Sequence, residues 1–227
     1  MDTVKGRVAL ITGATNDEGE AISLRLAKKQ AKVVVADLDS TKVDALVKKM
    51  ANEGFQVEGL VVDTAKPGDV KEAVDGVAAK HGAIDILVNC ADYANGKAVS
   101  ESSAEDWDIS LKMNLNPVVL FCQYVIPKMR EKKHGRIVNL GSLDYLGVSG
   151  KANYSAAKSA IFGLTRSLAL ELAKEGITVN SLAKGDIKDP ASEMSEEEQA
   201  KAAKGIPVQR LGSPEDVAYA TCYFASD

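Results

Sequence analysis

Three cysteines are all that the 227 residues contain. Cys90, Cys122 and Cys222 are odd in number, far apart and without metal-ligand spacing, which excludes a disulfide frame and leaves free thiols in a reducing compartment. No metal site is expected. Histidine is scarcer still: His81 and His134 close helical patterns and read as exposed C-terminal helix residues. Cys90 therefore has no neighbouring base and reads as a small buried apolar residue. Positive charge is not in surplus either, with a net charge of −4 and a pI near 5.4, so nucleic acid is not an expected partner. After the charged start Met1-Asp-Thr-Val-Lys-Gly-Arg7 there is no secretory h-region and no apolar span of about 18 residues. That predicts a cytoplasmic protein without a membrane partner. Repeats, linkers and composition breaks are missing as well. The chain, 45% hydrophobic and 26% charged, is expected to form a single domain over residues 1–227 with a sizeable core.

What is present is a regular alternation. Short apolar runs at Val8–Thr12, Lys32–Asp37, Gln56–Val62, Ile84–Asn89, Arg136–Leu140 and Ile177–Leu182 read as six strands. Helical patterns near 19–30, 40–53, 68–81, 104–131 and 153–175 separate them. This predicts an α/β fold: a Rossmann-type, doubly wound parallel sheet in three α/β/α layers. Ligands of such sheets bind beyond the carboxyl ends of the strands, where the strand order reverses.

The chemistry concentrates at Ser142 and in Tyr154-Ser-Ala-Ala-Lys158. Tyrosine and lysine four residues apart share one helix face, and a cation there favours the phenolate, lowering the phenol's pKa towards working pH. Ser142 follows a buried strand and can hydrogen-bond the oxygen that gains or loses the proton. Asn114, polar amid Met113 and Leu115, reads either as an interruption of the helix ladder that binds a relay water or as a hydrogen-bonded core amide.

The first strand-to-helix turn reads Thr12-Gly13-Ala-Thr-Asn-Asp17-Glu18-Gly19-Glu20. Gly13 and Gly19 have the spacing of the outer glycines of Gly-x-x-x-Gly-x-Gly, a turn that receives a pyrophosphate. Asp17 stands where the middle glycine belongs. A carboxylate about 4 Å from a phosphate charge costs about 4 kcal/mol at an effective dielectric of about 20, roughly a thousandfold in affinity. Asp17→Gly is accordingly expected to improve NADH affinity. An ordinary acidic helix start explains the same residues. Asp37, closing the second strand, can accept from ribose hydroxyls and so favour NAD over NADP, or be a plain polar strand-end residue. Asp63 can accept from an adenine amino group or cap a loop. Asn89 can hold the sheet end together through its side chain.

Beyond the sixth strand, Ala183–Pro190 and a charged helical piece from Glu193 to Lys204 can form a substrate lid or a plain solvated helix. Ser213-Pro214 starts a last helix. Apolar surface left on the two long helices suits a dimer.

Together these residues resemble the short-chain dehydrogenase/reductase family over essentially the whole chain. The matches are Thr12-Gly13 with Gly19, Asp37, Asp63, Asn89 with Ala91, Asn114, Gly141-Ser142, Tyr154 with Lys158, Asn180, Gly185 with Ile187, and Leu211–Val217. The resemblance implies hydride exchange between nicotinamide and a secondary alcohol or ketone. Tyr154 would be the acid/base, Lys158 would lower its pKa and hold the nicotinamide ribose, Ser142 would orient substrate and Asn114 would support the relay. Gly13, Asp17, Gly19, Asp37, Asp63, Asn89, Lys158, Gly185 and Ile187 would line the NAD. The chain departs from the family's pattern at Asp17 and Glu18, at Cys90 and Asp92 in place of Asn and Gly, at Lys184 in place of Pro, and at Asp189. Ser142 also stands one residue closer to Tyr154 than the family pattern, and the family's last strand has no counterpart before Asp227. Three readings follow. The chain is a non-catalytic partner in a heteromeric dehydrogenase with a related chain, or an active NAD-dependent dehydrogenase, or a dinucleotide-sensing module. Hydroxyacyl thioesters such as hydroxyacyl-CoA are the small-molecule substrates the likeness favours.

Overall fold

The computed structural model describes residues 4–188 and 195–227. In chain order the elements are β1 (Val8–Thr12), α1 (Asp17–Lys28), β2 (Lys32–Asp37), α2 (Ser40–Asn52), β3 (Val57–Val61), α3 (Pro67–His81) and β4 (Ile86–Asn89). They continue with α4 (Ala104–Asn114), α5 (Asn116–Lys132), β5 (Gly135–Ser142), α6 (Ala152–Leu172), β6 (Ile177–Lys184), α7 (Glu196–Ala203) and α8 (Pro214–Phe224). The sheet is parallel throughout in the order β3-β2-β1-β4-β5-β6. Chain order reverses between β1 and β4, which opens the crevice where a doubly wound sheet receives ligands.

Side chains on a strand alternate between faces, and both faces of this sheet are covered. Val8 and Leu10 of β1 point into one core with Val74, Phe121, Met129 and Ile161 of α3, α5 and α6. Ala9 and Ile11 point into the other with Ile22, Leu26, Met50 and Val217 of α1, α2 and α8. Two-sided burial is why β1 is apolar at every position but its last, Thr12. Truncating the fully buried Phe121 to alanine is expected to cost about 3–5 kcal/mol.

The apolar pattern over 104–131 is one helix by periodicity but two in the structure. Leu115 separates α4 from α5. The reason is local: Asn114 Nδ2 donates back to the Ser110 carbonyl at 2.9 Å, and Pro117 in the first turn of α5 lacks an N–H only where none is needed. Ala104–Lys132 also passes, by length and composition, as a helix that could cross a membrane, contrary to the expectation of no such span. Here its apolar face supplies Phe121, Val125 and Met129 to the core.

Strands β5 and β6 run further than their apolar runs predict, to Ser142 and Lys184, and these two end residues are register partners. His81 does end α3, but neither histidine is exposed. His81 Nε2 lies 2.9 Å from Glu58 Oε2, and His134 is part-buried beside Asp227, with burial and two arginines holding its pKa below the ordinary value. Cys90 and Cys122 are buried and free.

Beneath the crevice a run of buried polar side chains crosses the sheet. Thr12 Oγ1 donates to Asn89 Oδ1 at 3.2 Å, Asn89 Nδ2 to Asn139 Oδ1 at 2.8 Å, and Asn139 Nδ2 to Thr165 Oγ1 at 3.0 Å. Asn89 thus ties β1, β4 and β5 together, as its position at a strand end suggests, and α6 is joined through Thr165.

Candidate active site

The crevice above that run has two parts. On the β2–β3 side, a hollow of about 350 Å³ is lined by Gly13, Asp37, Asp63, Ala91, Asp92 and Met113 among others. On the β5–β6 side, a hollow of about 430 Å³ is lined by Glu18, Asp92, Ser142, Tyr154, Lys184, Gly185 and Ile187 among others. Asp92 lines both. A larger hollow of about 740 Å³ lies along the outer edge of β3 and α3, away from Ser142 and Tyr154.

Sequence-predicted residues meet on the β5–β6 side. Ser142 ends β5, and Tyr154 and Lys158 stand one turn apart near the start of α6, both buried. Lys158 Nζ lies 5.4 Å from the centre of the Tyr154 ring and donates to the Ala91 carbonyl at 3.2 Å. The protonation logic expected of the pair is reversed. Tyr154 Oη donates to Asp92 Oδ1 at 2.8 Å. Burial first, and then the Asp92 charge, push the phenol's pKa well above its ordinary value, although Ser142 pulls the other way. Lys158 does not prevail, because its own charge faces Asp92 Oδ1 at 3.2 Å. Burial lowers the Lys158 pKa and Asp92 only partly offsets that. Ser142 is itself engaged, its hydroxyl accepting from Asp144 N–H at 3.1 Å.

Three charged side chains that sequence reasoning treated as separate departures form one network. Lys184 Nζ pairs with Glu18 Oε1 and, at 2.8 Å, with Asp92 Oδ2. Burial works against the Asp92 charge, but Lys158 and Lys184 outweigh it and hold the carboxyl at about 2. Burial likewise works against the Lys184 ammonium, and Asp92 and Glu18 raise it above the ordinary lysine value. The order Glu18–Lys184–Asp92–Lys158, with Tyr154 on Asp92, runs from the start of α1 over the ends of β6 and β4 to α6. A signal for it existed in the sequence. Two acids and one base replace uncharged family residues at positions that all line one crevice, so their charges can cancel.

Asp17, expected in the phosphate space, is exposed on the outer side of α1 and helps raise the pKa of Lys49. The acid that faces the crevice from this helix is Glu18. Gly13 and Gly19 are required by the turn itself. A Cβ at Gly13, whose φ is +63°, would meet Ala91 N at 2.7 Å, and one at Gly19 would meet Ala14 Cα at 2.7 Å. Asn16 caps α1 by accepting from Gly19 N–H at 2.7 Å and holds the Cys90 carbonyl at 2.9 Å.

Asp37 and Asp63 are positioned differently from Asp92. Asp37 Oδ2 accepts from the Thr15 N–H at 3.0 Å and Oγ at 2.7 Å, and Oδ1 accepts from Leu38 N–H at 2.8 Å. Asp63 accepts from Ala65 N–H at 3.1 Å and pairs with Lys66. Burial raises its pKa, but Lys66 and the Ala65 amide outweigh that and hold it low. Asn114 stands at the helix break and is a hydrogen-bonded core amide, outside the crevice. Fully buried, it accepts from Tyr93 N–H at 2.9 Å and donates to the Tyr93 carbonyl at 2.8 Å, fixing the loop after β4 that carries Asp92. Asn89 likewise lies inside the sheet. Gly185 and Ile187 do line the crevice, and Ile187 bridges to Gly212. Asp189 and the middle of the expected lid, residues 189–194, fall outside the described residues, while α7 covers most of its charged helical piece.

Comparison with known proteins agrees with this fold. The family described as short chain dehydrogenase matches residues 7–202. Subunit BbsD of (2S)-[(R)-hydroxy(phenyl)methyl]succinyl-CoA dehydrogenase from Thauera aromatica is 40% identical over 99% of this chain and 91% of its own length. Subunit BbsC of the same dehydrogenase is 38% identical over 98% and 88%. The 3-oxoacyl-[acyl-carrier-protein] reductase FabG of Thermotoga maritima is 36% identical over 99% and 92%. Among solved structures, that of gox2181 is 32% identical, with a TM-score of 0.93 over 99% of this chain and 90% of that one.

Proposed function

The chain belongs to the short-chain dehydrogenase family, and from that premise we propose that it is the non-catalytic subunit of a heteromeric NAD-dependent dehydrogenase acting on an acyl-CoA thioester. One observation carries this reading: Asp92 engages both Tyr154 and Lys158. A phenol that donates to a carboxylate, with its pKa raised, is neither a ready base nor free to donate to a substrate oxygen.

The residues present fit the two ends of NAD unequally. Asp37 and Asp63 at the ends of β2 and β3 suit the adenosine end. The pairs among Glu18, Lys184 and Asp92 occupy the way from the start of α1 to Tyr154, which the nicotinamide end would need. NAD supplies the hydride acceptor in such oxidations, and a site it cannot span has no redox chemistry to perform. A related chain with an uncharged crevice would then carry the turnover. The apolar side chains still outside the core on the long helices, Val119 of α5 and Leu170 of α6, the latter 83% exposed, are where that chain would dock. The thioester class is supported by the two relatives that are named as subunits of (2S)-[(R)-hydroxy(phenyl)methyl]succinyl-CoA dehydrogenase.

The test is made in the assembled heteromer. Tyr154→Phe in this chain is expected to leave kcat unchanged, whereas the matching change in the partner chain abolishes it. Loss of turnover on changing Tyr154 overturns the proposal. One observation favours a second reading, that of an active dehydrogenase: Ser142 and Tyr154 line one hollow with Lys158 beneath. NAD reduction by this chain purified alone would establish it.

A further inference from the structure

We propose that Glu18, Lys184 and Asp92 act as one specificity element, a bar that makes the crevice admit a purine nucleoside on the β2–β3 side and reject a dinucleotide. The inference goes beyond the subunit reading and stands without it, since a binding preference is read independently of turnover.

The geometry has three parts. First, the bar is made only of charges that satisfy one another. Lys184 is clasped by Glu18 and Asp92, and Asp92 is clasped again by Lys158 and Tyr154. The side chains of Glu18, Lys184 and Lys158 are 12%, 13% and 0% exposed. A ligand group that entered here would leave at least one buried charge without its partner, so the second half of a dinucleotide meets a barrier. Second, the space before the bar, about 350 Å³, is at the small end of the roughly 300–1,000 Å³ typical of small-molecule sites. It suits a ligand of nucleoside size.

Third, the chemistry of that space selects the ligand class. Asp37 and Asp63 are acceptors only, and each is steadied by backbone N–H groups. An ionised carboxylate has about four acceptor positions. Asp37 uses three and Asp63 uses two of them, so both can still receive a donor. A ribose hydroxyl and an exocyclic amino group are such donors, and the half-exposed apolar side chains Leu38 and Met113 offer walls for a flat base. Phosphate is not favoured. The start of α1 already carries Asp17, Glu18 and Glu20 against its dipole.

The experiment is a calorimetric titration of the full chain with adenosine and, separately, with NADH. The wild type is expected to bind adenosine at least as tightly as NADH, the second half of the dinucleotide adding nothing. Glu18→Ile, Asp92→Gly and Lys184→Pro combined are expected to strengthen NADH binding tenfold or more relative to adenosine. NADH binding tenfold tighter than adenosine in the wild type overturns the proposal, as does the absence of saturable adenosine binding. Should the triple variant fail to fold, Asp37→Asn supplies the second measurement. A tenfold loss of adenosine affinity is expected in a variant whose melting temperature falls by only about 2–4 °C, and unchanged affinity rejects the site.

Discussion

Two acids at strand ends of one sheet, Asp37 and Asp92, have opposite fates. Asp37 is held by N–H groups of Thr15 and Leu38 and by a hydroxyl, neutral donors that orient the carboxylate and leave its charge uncompensated. Asp92 is held by two ammonium groups and a phenol, and the two ammonium groups cancel its charge. The difference lies in the neighbours. On the β2–β3 side an acid is presented to whatever enters, and on the β5–β6 side an acid is spent on the protein itself. A carboxylate beyond a strand end is therefore a binding group only if its partners are weaker than the ligand it is to receive.

The largest effect that would break this contrast comes from Lys184. Lys184→Met strands Glu18 and leaves Asp92 to Lys158 alone, and unfolding in urea is expected to show a loss of about 3–5 kcal/mol. A loss below about 1 kcal/mol would mean that solvent, not Lys184, satisfies those acids. Next comes the pH dependence of Asp92. Its folded pKa of about 2 lies below its ordinary 3.8, so its stabilisation is fully present above that ordinary value and disappears as pH falls through about 2. The window is worth about 2 kcal/mol. Asp92→Asn is expected to flatten the stability profile between pH 4 and pH 2 and to let a phenol titrate at lower pH in alkaline absorbance, because Tyr154 loses the charge that holds its proton.

Asp37→Asn sharpens the contrast from the other side. It removes hydrogen bonds but strands no cation, and a loss of about 1 kcal/mol is expected by the same urea measurement. The smallest effect belongs to Asp17→Gly. Exposed and outside the crevice, it is expected to change stability and NADH affinity by less than about 0.5 kcal/mol, against the improvement that the turn's spacing alone suggests. A tenfold gain in affinity would return Asp17 to the phosphate path.

The frame was legible because parallel strands buried on both faces must be apolar runs, and Val8–Thr12 and Lys32–Asp37 coincide with β1 and β2. The break at Leu115 was hidden because apolar spacing continues across it, and Asn116-Pro117 was the local sign. Ser142, Tyr154 and Lys158 were legible as neighbours from one strand end and one helix turn. Their protonation was not. It depends on Asp92 and Lys184, and Lys184 meets Glu18 across a sequence separation of 166 residues. Coulomb energy follows distance in space, and only the sheet order brings the ends of β4 and β6 and the start of α1 together. Opposite charges at departures from a family pattern were the one trace of this in the sequence.

The run Thr12–Asn89–Asn139–Thr165 sets how freely such a crevice can be rewritten. It clamps β1, β4, β5 and α6 with neutral groups alone. Charges above it can be exchanged, cancelled or restored without asking the strands to shift register. A lineage that carries this clamp can retire one chemistry and try another as a series of surface edits on a fixed foundation, and the same property makes the triple reversal a practical piece of engineering.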